Sequence, residues 1–253
     1  MEQKLRKSFQ GIGNIIRFNW HFYLIAFLMI IGLQLISKYI NVDFQVSITV
    51  LCIIILGIIS LSLLVSFYVY DISDLYTLKW VNKKEREDVI VNISAGFDET
   101  SHLLKDKFPS SKFIALDFYD PKKHTEVSIK RARKAYPPSK QTVKIETDYI
   151  PLNTGEVDVL FVILSAHEIR NKTEQVQFFK ELYRVSAPKS KIYVTEHLRD
   201  LPNFLAYTIG FFHFYSKKSW SGVFLKANFK LIKEVKITPF ISTFILQKNG
   251  TTP

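Results

Sequence analysis

Cysteine is almost absent from this chain of 253 residues. The single one, Cys52, lies inside an apolar run, so no intrachain disulfide can form and nothing in the composition asks for an oxidising compartment. Acidic residues are also short, 23 against 34 lysines and arginines, and the resulting net charge of +11 points to an anionic partner: nucleic acid, a membrane surface or an acidic substrate. Charge is missing altogether from Val46 to Val69. Internal repeats and low-complexity tracts are missing too, which excludes a repeat architecture.

The charge-free stretch is long enough to span a hydrocarbon core of roughly 30 Å, which takes about 20 helical residues. Residues 46–69 are therefore predicted to form a transmembrane helix. Trp20 to Ile36 is nearly as apolar, with Trp20, His21, Phe22 and Tyr23 at one end and Lys38 and Tyr39 at the other, as interfacial anchoring requires. A cleaved signal peptide is the competing reading, but no small-residue cleavage site follows Ile36 and a second span comes soon after. The connection Ser37–Gln45 is short and nearly neutral, whereas Lys4, Arg6, Lys7 and Arg17 precede the first span and Lys79, Lys83, Lys84 and Arg86 follow the second. Positive-inside bias then gives a hairpin in the cell inner membrane with both ends in the cytoplasm. Membrane is the economical anionic partner, and nucleic acid is not needed. Ahead of the hairpin, Leu5, Phe9, Ile12 and Ile16 recur at helical spacing among basic residues, which predicts a helix lying flat on an anionic surface. Gly11 and Gly13 weaken that helix, and a disordered basic tail is the alternative.

Residues 1–80 thus form one unit, and a charged linker, Asn82–Asp88, leads into a second at 81–253. Val89–Ile93 is an apolar, β-branched run; Ser94, Ala95 and Gly96 allow a turn; Leu103, Leu104 and Phe108 mark a helix; Phe113–Leu116 is a second strand closed by Asp117. In open α/β sheets ligands sit outside the carboxyl ends of the strands, where such an acid takes two ribose hydroxyls. The chain goes on alternating. A basic helix spans about Thr125–Tyr136, with Lys130, Arg131, Arg133 and Lys134 as a solvated face or a site for lipid phosphates. Val143–Ile145 is a short strand, Val157–Leu164 a buried central one, Lys172–Val185 a helix stopped by Pro188, and Lys191–Thr195 a fifth strand. Lys230–Val235 and Phe240–Gln247 are two final strands joined at Thr238-Pro239. The fold class is α/β, a mostly parallel Rossmann-like sheet covered on both faces.

From about Tyr70 onward the chain resembles the class I S-adenosylmethionine-dependent methyltransferases, in the style of their quinone- and lipid-methylating branch. Five pieces carry the resemblance in order: the turn after Val89–Ile93, Asp117, Thr147-Asp148-Tyr149-Ile150-Pro151-Leu152, Val157–Phe161 followed by Ser165-Ala166-His167-Glu168, and Phe179–Val185 with Pro188. The resemblance implies a sheet whose last strand is antiparallel and S-adenosylmethionine as cofactor. It implies cofactor contacts from Asn92, Ser94, Ala95, Gly96, Asp98, Asp117, Phe118, Asp148, Tyr149 and Ser165, with Tyr70 in the lead-in segment that closes over the cofactor or, equally, as an interfacial tyrosine. The family's loop pattern is acid-x-Gly-x-Gly-x-Gly, and here only Gly96 remains. Ser94 adds a Cβ where the backbone meets the ligand, and Asn92 lacks the carboxylate, for which Asp98 is the candidate substitute.

Methyl transfer needs a nucleophile held in line with the methyl carbon, and no metal is required. For a hydroxyl acceptor, His167 and His197 at two strand ends are the candidate bases, with Glu168 and Glu196 orienting them. The aromatic segment 203–214, with Asn203, Tyr207, His213 and Phe214, packs the core in one reading and forms an acceptor lid dipping into lipid in the other. The expected activity is methylation of a lipophilic small molecule or lipid; a catalytically silent membrane-bound module of the same fold is the alternative. Nucleic-acid methylation is disfavoured by the lack of an Asn-Pro-Pro-aromatic motif, a Pro-Cys nucleophile and an added recognition domain.

Overall fold

The computed structural model describes residues 6–82 and 88–250. Leu5, the basic residues at 4, 83, 84 and 86 and most of the charged linker lie outside them. Two long apolar helices come first, α1 (Gln10–Ser37) and α2 (Val42–Phe67), packed side by side. A π-helical turn, Tyr68–Ile72, extends α2. Both helices are long and apolar enough to cross a membrane, and few of their residues are buried in the protein.

The first helix begins at Gln10, not near Trp20, so the segment expected to lie flat on a surface is its first turns instead. Side chains far away in sequence hold it there. Asp71 accepts from the backbone N–H of Gly11 and of Ile12, both at 2.7 Å, satisfying helix-start donors that otherwise lack partners and placing a negative charge at the positive end of the helix dipole. Gly11 is the point of closest approach: a Cβ there would stand 2.4 Å from Tyr70 Cβ. Gly13 has open space around it.

The remainder is one seven-stranded sheet in the order β3-β2-β1-β4-β5-β7-β6. The strands are β1 (Val89–Ser94), β2 (Lys112–Asp117), β3 (Val143–Lys144), β4 (Val157–Ile163), β5 (Ser186–His197), β6 (Phe229–Thr238) and β7 (Ile241–Lys248). Strands 1 to 5 pair in parallel, and β7 runs antiparallel between β5 and β6, a mostly parallel Rossmann-like sheet with an antiparallel last strand. Helices α3 (Ser101–Lys107), α4 (Val127–Ala135), α5 (Lys172–Val185), α6 (Leu201–Tyr207) and α7 (Lys217–Lys226) connect them.

Central strands are apolar on both sides because both faces are covered. Val91, Leu160, Val162 and Val194 share a core with Phe178, Phe179 and Leu182 of α5 and Trp220 and Phe224 of α7. Their alternates Ile90, Phe161 and Tyr193 face Leu104 and Phe108 with Leu78 and Val81. Leu78 and Val81, with Trp80 packed beside them, therefore belong to the sheet's own core. Regular β4–β5 pairing resumes at Lys191, after an irregular stretch around Pro188.

Candidate active site

The carboxyl ends of β1 and β2 form the first cluster. Gly96 turns the chain with φ +92°, a conformation glycine adopts without a Cβ penalty, and its N–H donates to Asp117 Oδ1 at 2.8 Å. Tyr119 N donates to the same oxygen at 3.0 Å. The other carboxylate oxygen is paired with Arg133 of α4, whose guanidinium also lies 5.2 Å from the Tyr119 ring centre. A Cβ on Gly96 would come within 2.7 Å of that ring. Ser94, Gly96, Asp98 and Asp117 line a cavity of about 870 Å³ that is closed on one side by the first turns of α1, a volume within the usual range of small-molecule sites.

Other residues expected near the cofactor have different surroundings. Asp98 Oδ1 accepts from Thr100 N and Ser101 N, both at 2.9 Å, ordering the start of α3. Asn92 Nδ2 donates to Thr100 Oγ1 and Ser101 Oγ, and its Oδ1 is buried without a partner. Ala95 and Phe118 are packed into the core, Phe118 against Phe178 at 5.3 Å. Ser165 Oγ, buried, donates to Ile93 O at 2.9 Å and so ties the β4 exit to β1. Asp148 and Tyr149 are exposed on the turn that follows β3.

The second cluster follows β4. His167 Nδ1 is 2.6 Å from Glu196 Oε2, and its Nε2 is 3.3 Å from Glu168 Oε1. Glu196 is fully buried. Burial works against a charged His167, but the Glu196 carboxylate, helped by Glu168, outweighs it and holds the imidazole at about 10. Partial burial works against the Glu168 carboxylate, yet its bonds to His167 and His213 keep it well below the usual carboxylate range. At neutral pH the pair is an imidazolium between two carboxylates. His213 joins from the aromatic segment, its ring 5.1 Å from that of His167.

The third cluster surrounds His197. Its Nδ1 is 3.0 Å from Asn203 Oδ1 and its Nε2 is 2.7 Å from the Tyr70 hydroxyl. An amide oxygen only accepts, so Nδ1 carries the proton and Nε2 accepts from Tyr70. Burial, reinforced by His167 and His213, pushes His197 down to about 4 against the opposing Asn203 bond, which fits the neutral tautomer. Phe214 stacks on the ring at 4.8 Å and Tyr207 meets it edge-on at 5.3 Å. Burial pushes the Tyr207 phenol up to about 12. His197 thereby fastens the end of α2 to α6, with both ring nitrogens occupied.

Sequence reasoning did not single out Arg133, Tyr119, Glu99, Glu126 or Arg170. Arg133 reads as one of several solvated cations on a basic helix, and only its place in the helix after Asp117 hints at a partner. Glu99 is the hub that docks α1: it accepts from Arg6 and Gln10 at 2.9 Å and Asn14 at 3.3 Å, and from the Tyr76 hydroxyl at 2.9 Å. Arg131, another of the basic set, donates to Phe18 O at 2.7 Å.

No family model matches the sequence, and no curated protein does. Among solved structures the chain is similar to a SAM-dependent methyltransferase from Aquifex aeolicus, at 17% identity and a TM-score of 0.49 over 75% of this chain and 97% of that one. An S-adenosylmethionine-dependent methyltransferase from Clostridium acetobutylicum is 10% identical, with a TM-score of 0.47 over 65% and 85%. LepI, solved in complex with SAM, is 12% identical, with a TM-score of 0.47 over 68% of this chain and 46% of LepI, so the chain spans less than half of that protein. The likeness is one of fold.

Proposed function

We propose that this chain is a membrane-anchored S-adenosylmethionine-dependent methyltransferase acting on a lipophilic small molecule or a lipid, with its N-terminus and sheet domain on the cytoplasmic side of the inner membrane. The observation that carries the reading is Asp117, which stands at the end of β2 against the Gly96 turn and lines a cavity of about 870 Å³ that runs from the carboxyl ends of β1 and β2 along β2 to Ala115 and Phe113. The residues fit an adenosyl group at its ribose, in competition with Arg133: Asp117 Oδ2 is the acceptor a ribose hydroxyl would use, and the Arg133 guanidinium holds it now. Ser94, Gly96 and Asp98 would line the methionine end. When bound, the cofactor supplies an electrophilic methyl group. The chain positions the acceptor, and His197 keeps the aromatic segment in place; the His167 imidazolium, held at about 10 between Glu168 and Glu196, has no free nitrogen for an acceptor proton.

The acceptor's route supports the lipophilic reading. Leu61 and Val65 of α2 form an apolar groove of about 320 Å³ with Leu201, Leu205 and Ala206 of α6 and with Phe240. Beside it Phe204, Ile209 and Phe212 are exposed. An apolar patch continuous with a membrane-length helix suits insertion into lipid, where burying it is worth roughly 25 cal/mol per Å².

A second reading, a catalytically silent module, is favoured by the Arg133–Asp117 pair and by the side chains at Ser94 and Tyr119. Calorimetry on the detergent-solubilised full chain separates the two. The methyltransferase reading expects S-adenosylmethionine and S-adenosylhomocysteine to bind, Asp117→Asn to lose both, and Arg133→Ala to tighten them by freeing the carboxylate. If neither wild type nor Arg133→Ala binds either nucleoside, the silent module stands.

A further inference from the structure

Two short 3-10 turns, Ala166–Glu168 after β4 and Thr208–His213 after α6, bring His167, Glu168 and His213 together. Their donor atoms lie within 4.8 Å of one another. Glu168 Oε1 is 3.3 Å from His167 Nε2 and 3.8 Å from His213 Nε2. Around a tetrahedral ion with nitrogen and oxygen ligands at about 2.0–2.2 Å, neighbouring ligand atoms stand roughly 3.3–3.6 Å apart. The donor separations would have to close by up to about 1.5 Å.

The orientation of the rings is the second observation. Each imidazole has Nδ1 against one carboxylate and Nε2 turned toward Glu168. For His167 the Nδ1 partner is the buried Glu196 at 2.6 Å; His213 Nδ1 lies 3.3 Å from Glu126, with the Arg170 guanidinium closer still. Metal-bound histidines are held in this way, the outer carboxylate fixing the tautomer and leaving the other nitrogen free to ligate. Charge is the third observation. Glu126, Glu168 and Glu196 bring three negative charges, and Arg170, which contacts Glu126 and both ring nitrogens of His213, brings one positive. Binding a cation displaces the His167 proton, and with both imidazoles then neutral the balance is the charge of one divalent cation.

We propose that His167 Nε2, Glu168 Oε1 and His213 Nε2 bind one divalent cation of the zinc class, with Glu196 and Glu126 as the orienting carboxylates. Arg170 gives up the His213 ring on binding and keeps Glu126, 3.3 Å away. The ion clamps the β4 exit to the aromatic segment. Three protein ligands leave one position for a water or, on the methyltransferase reading, for an oxygen of the acceptor.

The test uses the full chain, tag-free and in detergent, stripped by chelator and titrated with Zn²⁺ by calorimetry and with Co²⁺ by visible absorption. One equivalent of each is expected, with the intense visible bands of a four-coordinate Co²⁺ centre. His213→Ala and Glu168→Gln should each weaken binding by more than about tenfold, and Glu126→Gln by about tenfold. His213 is on a partly exposed turn, so its variant is expected to fold, and the thermal melt of the metal-free protein checks this. No stoichiometric uptake by wild type, or uptake unchanged in folded His213→Ala, overturns the site. Neither result touches nucleoside binding, which is read separately with Asp117→Asn.

Discussion

Replacing Gly11 with alanine tests whether the N-terminal helical hairpin is docked on the sheet domain. The added methyl group would stand 2.4 Å from Tyr70 Cβ and 2.9 Å from an Asp71 oxygen. Tyr70 Cβ sits next to backbone and cannot swing away, so α1 itself has to move. Forcing a methyl group into a packed contact costs about 1–3 kcal/mol. Any shift also loosens the bonds from Gly11 N and Ile12 N to the Asp71 carboxylate, and a hydrogen bond to a charged group contributes about 1.5–3 kcal/mol. Against this, alanine gains at most about 1 kcal/mol over glycine in a helix. The balance is a loss of about 1.5–6 kcal/mol in the docking of α1. Gly13 is the internal control: nothing lies near its missing Cβ, so Gly13→Ala should keep the gain of up to about 1 kcal/mol. Hydrogen–deuterium exchange over residues 8–18 in detergent reads both, since each 1.4 kcal/mol of lost protection speeds exchange about tenfold. Gly11→Ala should exchange faster than wild type and Gly13→Ala no faster. Equal or slower exchange in Gly11→Ala would mean that α1 does not rest on Tyr70.

Two further outcomes follow from the polar contacts. His197 is held near 4 in the fold against about 6.5 unfolded, so below pH 6.5 the unfolded chain takes a proton that the folded chain refuses; stability should fall from pH 6.5 to about 4 by about 3 kcal/mol. Denaturant midpoints across that range measure it, and His197→Phe should flatten this limb. Glu99→Gln should release the start of α1, because it leaves a largely buried Arg6 without its counter-charge at a cost of about 3 kcal/mol; proteolytic sensitivity around residues 6–18 reports it, and unchanged sensitivity would show that Glu99 is not the hub.

What could be read in the sequence was whatever burial writes locally. β1 and β4 are mostly apolar, interrupted only by Asn92 and Ser94 in β1 and Asp158 in β4, because helices cover both sides of the sheet. The α5 bounds, Lys172–Val185, are legible because Asn171 caps the start, accepting from Thr173 and Glu174 N–H at 2.8 and 3.0 Å, and because the pattern stops ahead of Pro188. The candidate site was legible only in outline. Asp117 and Gly96 follow from strand ends and a turn, but what fills the space between them depends on Arg133, from another element. In the same way the gathering of Arg6, Gln10 and Asn14 on Glu99 joins residues more than 80 positions apart, and no local pattern encodes it. The short β3, predicted at Val143–Ile145 and found at Val143–Lys144, and the fifth strand, predicted from Lys191 where regular pairing resumes, were by contrast legible in their own apolar runs.

Those long-range contacts change how the hairpin is understood. A membrane leader joined by a flexible linker would leave the sheet domain complete without it. Here the link is structural on both sides. Leu75 packs with Val69 and Ile241, and Leu78 and Val81 are buried against Ile90 and Tyr193, so the stretch leaving α2 is part of the core. Tyr70 carries the hydrogen bond that fixes His197, Asp71 caps α1, and the first turns of α1 close one side of the cavity that Asp117 lines. Movement of α1 relative to α2 must therefore be felt at Glu99 and in the Gly96–Glu99 loop, and occupation of that cavity must in turn favour one position of α1. Reciprocity of this kind is what linkage requires when two events share the same contacts. The consequence is directional: any ligand of the Asp117 cavity that touches the α1 turns should slow exchange at Gly11 and Ile12, while a ligand held only at the His167 cluster should leave those amides unchanged.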